Sequence, residues 1–473
     1  MHTSPKQPGN GFLDTCVPRL VYMPTNRLFE EAFRSLAAEV ISLPDCAREN
    51  VTLLVVDDCP QAVSRVNRQV TDEVARASGL QVHVLDADGW RRLADDIVAA
   101  SGLSANDSAA ARTALLQPTG SYGAGPNKAA LVAALVGAES LHRRDSDQIT
   151  QVDPATGSSP LRVEAELLDR ARTGGDVDVY CVGSSLTGRP TRDRRDLEQH
   201  SAEFVRRVDA LSELPGDISR TPRAPRPGAA PPGRIAVHNT VSAQRDLTGI
   251  VEMGVAALRT VHTWIPEMPA VGILGSDYFQ KGLLYQLDLP VYHHDLRAHH
   301  VYEPWRAGQS RPDHLGWYAS AEMRYAVLRR HWNFFNESLV AQRDRLFTSA
   351  GEFDSAAYGE LFLDARERSE EGATGIPPAF LTAYREAAAL ASGETARRLG
   401  IRIAALEAES LSVAAYVSQA IDEFARLTRA WPDLVAAADR LGRNTDLSSY
   451  TSAAARVPAA DPTVCATNRH EPS

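Results

Sequence analysis

Along the first half of the chain, short apolar runs alternate with amphipathic stretches. VPRLVYMP (residues 17–24), VTLLVVDD (51–58) and QVHVLDAD (81–88) read as strands. The second is rich in β-branched residues, as a parallel strand buried on both faces should be. Between them, LFEEAFRSLAAEVI (28–41) has apolar residues at helical spacing, and residues 61–78 form a more polar helical pattern. GPNKAALVAALVGAESLHRRDSDQ (125–148) passes from helix into strand, and DVDVYCVG (176–183) is a further strand. This β-α-β-α order predicts an α/β fold, a Rossmann-type mixed sheet flanked by helices with right-handed crossovers.

Further on, residues 247–262 look helical, and AVGILGSDYF (270–279) reads as a strand or tight loop opening a helix. Beyond about His314 the strand signals vanish. Residues 318–346, 356–369, 378–392 and 401–431 all look helical, with GATGIPP (372–378) breaking two of them. The expected organisation is a disordered start (1–14), an α/β domain (15–315), a helical region (316–455) and a disordered tail (456–473). SRTPRAPRPGAAPPGR (219–234) has no hydrophobic period and is expected to be a mobile loop within the α/β domain. No internal repeat is seen.

Composition narrows the classes. The 473 residues exceed one ordinary core. Apolar residues are 44% and charged residues 23%, as in a soluble globular protein. A net charge of -10 argues against nucleic-acid and anionic-membrane partners, which are held by basic patches. The polar, Pro/Gly-rich first residues do not resemble a signal peptide, and no run of about 18 apolar residues exists. The five cysteines are scattered without a C-x-x-C pair, so neither structural zinc nor a disulfide framework is expected. A cytoplasmic enzyme is the default expectation. High Ala and Arg with little Lys point to a GC-rich genome, such as an actinobacterium.

In an open parallel sheet, ligands bind at the carboxyl ends of the strands. The first strand ends in Pro24, Thr25, Asn26 and Arg27, the second in Asp57 and Asp58, and the fourth in Asp145-Ser146-Asp147. Strand alternation points Asp145 and Asp147 to one side. Each segment alone has a plainer explanation. An acidic pair after LLVV also occurs in phospho-acceptor receiver domains, D-x-D is commonly a solvated turn, and Asn127-Lys128 is commonly a helix start. Their conjunction sets three acidic or polar strand ends around one crevice.

The order strand–PTNR–helix, strand–VVDD, strand, GPNK–helix–strand–DSD resembles the nucleotide-sugar-binding half of the GT-A glycosyltransferase superfamily over residues 17–147, with a second half to about residue 305. The resemblance implies a GT-A-like mixed sheet and a nucleoside-diphosphate sugar donor, linked to GDP, UDP or dTDP. It implies Mg²⁺ or Mn²⁺ bridging the diphosphate, a job for hard carboxylate ligands. Carried over, Asp147 is the metal ligand. Asp145 meets ribose or sugar and is a second candidate ligand. Asp57 and Asp58 lie near base or ribose; Pro24, Thr25, Asn26 and Arg27 line the nucleotide pocket; Asn127 and Lys128 face phosphate or sugar. Of Arg143 and Arg144, at least one is expected to be a surface cation or ion pair.

LGSDYF (274–279) resembles the acceptor-side acidic motif of inverting members, with Ser-Asp where the usual pair is Glu-Asp. Asp277 is the candidate base; the alternative is a helix cap. Four of thirteen histidines fall within PVYHHDLRAHHVYEPW (290–305). His299 or His300 best fits the position that completes the metal shell, with His293 and His294 behind them, while a buried structural histidine is the competing explanation. Tyr302 and Trp305 pack on a sugar or base, or in the core.

The expected activity is metal-dependent, inverting transfer of a sugar to a small soluble acceptor in secondary metabolism. One concrete form is S-glycosylation of a thiol such as ergothioneine in lincosamide-type antibiotic biosynthesis. Two alternatives stay open: a sugar nucleotidyltransferase, disfavoured because MPTNR has no glycine to cradle a triphosphate, and a non-catalytic nucleotide-sugar-binding protein. The helical region is expected to cover the acceptor site, mediate homodimerisation, or both.

Overall fold

The computed structural model describes residues 17–117, 121–172, 179–188, 201–212, 237–239, 251–301 and 313–453. The loop expected at 219–234, both expected disordered termini, and Tyr302 and Trp305 lie outside them. The strands are β1 (Arg19–Thr25), β2 (Val51–Asp57), β3 (Val82–Leu85), β4 (Ser140–Arg144), β5 (Gln148–Ile149), β6 (Cys181–Gly183), β7 (Leu186–Gly188), β8 (Val237–Asn239), β9 (Val255–Arg259), β10 (Val291–His294), β11 (Ala298–His300) and β12 (Ser452–Ala453).

Nine strands form one sheet in the order β12-β3-β2-β1-β4-β9-β6-β10-β8. β3, β2, β1 and β4 run parallel. β9 lies antiparallel between β4 and β6, so the sheet is mixed. A second sheet pairs β11 antiparallel with β5 and parallel with β7. The fold is thus the expected α/β class, a mixed sheet flanked by helices with a helical C-terminal region.

Alternation along β1 makes two cores. Leu20 and Tyr22 point to one face with Leu54, Val56 and the helix Ala124–Leu135. Val21 and Met23 point to the other, against Phe33, Leu36 and Val40 of the helix Glu30–Ile41. A third core joins β6, β9 and β10 to the helices Asp313–Ala341, Ser355–Ala373 and Ile376–Ala389. The last long helix, Val413–Gly442, serves two of these cores. Val417, Ile421 and Phe424 enter the third core, and Trp431, Leu434 and Ala438 join the core on the Leu20 side of the sheet by packing on the helices that cover it.

Three local expectations are corrected. Residues 247–262, taken as helical, contain β9 and then the short helix Val261–Trp264. The span 401–431 is two helices, Gly393–Glu409 and Val413–Gly442. The C-terminal region also returns a strand, β12, to the sheet edge beside β3. Among the described cysteines, Cys59 and Cys181 are free and Cys46 is disulfide-bonded, a covalent tie the scattered cysteines did not suggest.

Candidate functional site

The carboxyl ends of β1, β2 and β4 lie side by side, because Thr25 pairs with Asp57 and Tyr22 with Arg143 in the parallel ladders. After β1 the chain turns on Thr25, whose buried hydroxyl donates to the Arg27 carbonyl at 2.9 Å and accepts from the Arg27 amide at 3.3 Å. That turn carries Arg27 across to Asp147, with Nη1 2.9 Å from Oδ2. Asn26 is exposed and accepts from Arg27 Nε at 3.2 Å. Pro24 packs on the first turn of the next strand's leading helix: a Cβ on Gly125 would stand 2.9 Å from the Pro24 Cβ. Glycine there permits the close approach of helix and strand.

The two acids after β2 part company. Asp57 is buried and accepts from the Cys59 amide at 3.0 Å and from the Ser64 hydroxyl, so it builds the turn. Asp58 receives Lys128 Nζ at 2.5 Å. Lys128 sits in the first turn of the helix Ala124–Leu135, buried, with Nζ 5.8 Å from the Trp90 ring centroid. Asn127 beside it is occupied by the backbone of Glu267: its Nδ2 donates to the carbonyl at 2.8 Å and its Oδ1 accepts from the amide at 2.7 Å. Those contacts make Asn127 a joint between two segments, with its amide turned from the donor crevice expected for it.

At the end of β4, Arg143 and Arg144 point to opposite faces and both are buried, so each takes the ion-pair form of the expectation and neither is a surface cation. Arg143 joins two carboxylates. Nε lies 2.7 Å from Asp145 Oδ1, Nη2 lies 3.3 Å from Asp145 Oδ2, and Nη1 lies 2.8 Å from Asp277 Oδ2. Burial raises the Asp145 pKa, Arg143 opposes that rise, and the Asp147 charge adds to it. For Arg143, burial favours the neutral form, but Asp145 and Asp277 outweigh it and hold the guanidinium charged. Gly254 makes room for this carboxylate: a Cβ there would stand 2.4 Å from Asp145 Oδ2.

His300 reaches Asp147 through strand register. β5 begins one residue after Asp147, and β11 pairs with it so that His300 faces Gln148. The Val301 amide donates to the Asp147 carbonyl at 2.8 Å, and His300 Nε2 comes within 3.4 Å of Asp147 Oδ2. His299 points the other way, exposed, with Nδ1 3.4 Å from the Thr187 hydroxyl. Period-two alternation therefore turns His300 toward Asp147 and His299 away from it. His293 and His294 are buried on β10, with His294 Nε2 3.8 Å from Glu164 on the far face of the sheet.

Asp277 does not cap the helix that follows it. Glu267 does: its carboxylate accepts from the Phe279 amide at 2.7 Å and the Gln280 amide at 3.2 Å. Burial, with Asp277 nearby, pushes the Glu267 pKa well up. The cap alternative for Asp277 thereby falls. Tyr278 next to it donates to Glu252 Oε2 at 2.6 Å. Arg143, Glu252 and Tyr278 are members of this neighbourhood that the motifs left out. Alternation on β4 was the available signal for Arg143, since it shares a face with Asp145.

A family model covering residues 19–447 matches the chain; it describes DUF6271, a family of unknown function. The chain belongs to DUF6271. No curated protein matches this DUF6271 chain significantly. Among solved structures it is similar to the mannosyltransferase PcManGT from Pyrobaculum calidifontis, solved with GDP-Man and Mn²⁺. There the identity is 14% and the TM-score 0.35, with 91% of each chain covered. It is also similar to S. aureus TarS at 11% identity and TM-score 0.33, covering 85% of this chain and 55% of TarS.

Among the described residues of the DUF6271 chain, no group of three or more His, Cys, Asp or Glu side chains is arranged to hold a metal. In the crevice, Asp147 and His300 come together. One carboxylate and one imidazole, converging within 3.4 Å, make a mixed oxygen–nitrogen set. That set would suit a divalent ion such as Mn²⁺, and would suit Mg²⁺ less well. Asp145, with both oxygens facing Arg143, fits a ligand's place less well than Asp147.

Proposed function

We propose that the chain is a glycosyltransferase that takes a sugar from a nucleoside-diphosphate donor bound across the carboxyl ends of β1, β2 and β4. The observation that carries this reading is the convergence on Asp147. Arg27 from the β1 end and His300 from β11 both address its Oδ2, while Asp277 is linked to the same crevice through Arg143. Arg27 and Lys128 supply cationic groups for the diphosphate, and Asp58 holds Lys128 in place. Asp147 and His300 would hold a divalent cation, which would supply Lewis-acid stabilisation of the departing diphosphate. Asp277, oriented by Arg143, takes the proton of the acceptor hydroxyl as its oxygen bonds to the anomeric carbon. The bond from that carbon to the phosphate oxygen breaks, and the diphosphate leaves with its electron pair. Attack opposite the leaving group gives inversion at the anomeric carbon.

The test is a binding panel of UDP-, GDP- and dTDP-sugars, each with Mn²⁺ or Mg²⁺, read by thermal shift and titration calorimetry. At least one donor is expected to stabilise the protein in the presence of metal. Asp147→Ala should remove the metal-dependent part of that affinity. A protein that no donor stabilises, or an Asp147→Ala variant with unchanged donor affinity, defeats the reading.

A further inference from the structure

Asp277 is the first residue after a nine-residue loop, 268–276. The loop closes on itself through the Met268 amide and the Ser276 carbonyl at 3.0 Å. Its base is tied to the donor side of the molecule, where the Asn127 amide holds Glu267 by both backbone groups. Its tip is tied to two helices of the helical region, and a third helix braces one of those ties. Tyr416, in the first turn of Val413–Gly442, donates to the Val271 carbonyl at 2.7 Å. Arg324 of Asp313–Ala341 donates to the Gly272 carbonyl at 3.2 Å and also to Glu409 at the end of Gly393–Glu409. The Arg324 guanidinium lies 5.4 Å from the centroid of the Tyr416 ring, so the two tip contacts support one another.

The loop's own sequence is fitted to this grip. Gly272 and Gly275 have φ of 65° and 72°, where a Cβ is strained. A Cβ on Gly272 would also stand 2.3 Å from Arg324 Nη1, and one on Gly275 would stand 3.1 Å from the Tyr325 ring. Ile273 between them is fully buried in the third core. The short path from the tip to Asp277 leaves little slack, so the tip contacts constrain where the Asp277 carboxylate meets Arg143.

We propose that Arg324 and Tyr416 are positioning residues for Asp277, acting through the backbone of the 268–276 loop. The helical region thereby sets the geometry of the acceptor-side carboxylate. This rests on the role given above to Asp277. The test compares Tyr416→Phe, which deletes one hydroxyl and keeps the ring against Arg324, with Arg324→Lys. Amide exchange across residues 270–277 should quicken by about fivefold to tenfold in each variant, the loss of one hydrogen bond, while β1 stays unchanged. With the donor found by the panel, kcat should fall by about tenfold and the donor KM stay within about twofold. In an Asp277→Asn background, Tyr416→Phe should cost no further turnover, because the two act on one step. Unchanged exchange at 270–277, or an equal turnover loss in the Asp277→Asn background, overturns the proposal. A wild-type protein that turns over no nucleotide sugar defeats the proposed function and with it the role of Asp277. The exchange measurement then decides the clamp by itself.

Discussion

Two neighbouring arginines on β4 serve opposite faces of the same strand. Arg144 points into the layer between the sheet and the helices Glu30–Ile41 and Pro160–Arg172. There its Nε meets Glu39 at 2.9 Å and its Nη1 meets Glu164 at 3.1 Å. The Glu39 carboxylate also accepts from the Thr150 hydroxyl at 2.6 Å and the Leu161 amide at 2.7 Å, and Glu164 from His142 at 2.9 Å. Arg143 likewise meets two carboxylates, but they come from different sides of a crevice and Asp145 is 26% exposed where Glu164 is fully buried. The first network closes on itself and holds the strand against its helices. The second leaves carboxylate at the surface of the crevice, where a ligand can meet it. Similar ionic chemistry therefore supports the fold on one face and a site on the other, and solvent access makes the difference.

Substitutions can separate the two roles. The largest effect is expected for Arg144→Met, which leaves two carboxylates buried without their cation. Stability should fall by about 3–5 kcal/mol in denaturant titration. Asp277→Asn should retain stability and donor affinity but lower turnover by about a hundredfold; near-normal turnover would remove Asp277 as the base, as a thiol acceptor would predict. Arg143→Met should cost only about 1–3 kcal/mol, since its partner Asp145 keeps some access to water, and should lower turnover along with it. A stability loss equal to that of Arg144→Met would erase the distinction between the faces.

The smallest effect is in the pH dependence. Burial favours a neutral Glu164, but Arg144 and the His142 hydrogen bond outweigh it and hold the carboxyl below its usual range. Burial lowers the His142 pKa below 6.5, against the pull of Glu164. In both cases the unfolded chain binds more protons at low pH, so both signs agree. The stability that these two groups contribute should be fully present above about pH 6.5, decline as the unfolded form of His142 takes up its proton, and decline further as pH falls past the ordinary carboxylate range. Glu164→Gln should flatten the lower part of that acid arm in thermal unfolding. An unchanged slope would mean that Glu164 titrates alike in both states.

The sheet was legible where side chains alternate or branch at Cβ. VTLLVVDD and RLVYMP become β2 and β1, and residues 61–78 form the expected helix. β9 was not legible. Its VAALR has good helix formers, and pairing between β4 and β6 makes it a strand, with Ala256 and Ala257 buried. At the candidate site, the motifs singled out Asp147, Asp277, Lys128 and Arg27, which the structure brings into one neighbourhood, since strand ends follow from the strands. They could not find partners set by tertiary contact. Asn127 is drawn to Glu267, 140 residues away, and His300 is chosen over His299 by the pairing of β11 with β5. Glu267 replaces Asp277 as a helix cap because the chain folds back on itself, which no local pattern encodes.

The helix Val413–Gly442 has a consequence for how the protein is made. It lies far along the chain from β1 and β2, yet Trp431, Leu434, Ala437 and Ala438 complete the apolar layer that the helices Ala87–Ala100, Ala105–Leu115 and Ala124–Leu135 build on that side of the sheet. Trp431 also donates to the His262 carbonyl at 2.9 Å, and Gly442 approaches Leu135 so closely that a Cβ would stand 1.7 Å from its carbonyl oxygen. Until those four residues of the last helix follow, the outer apolar side of these three helices stays uncovered. A chain ending at residue 412 is expected to aggregate when expressed alone, and soluble, cooperatively unfolding material would refute that. In the growing cell, such a delay makes chaperone capacity a condition for producing the protein.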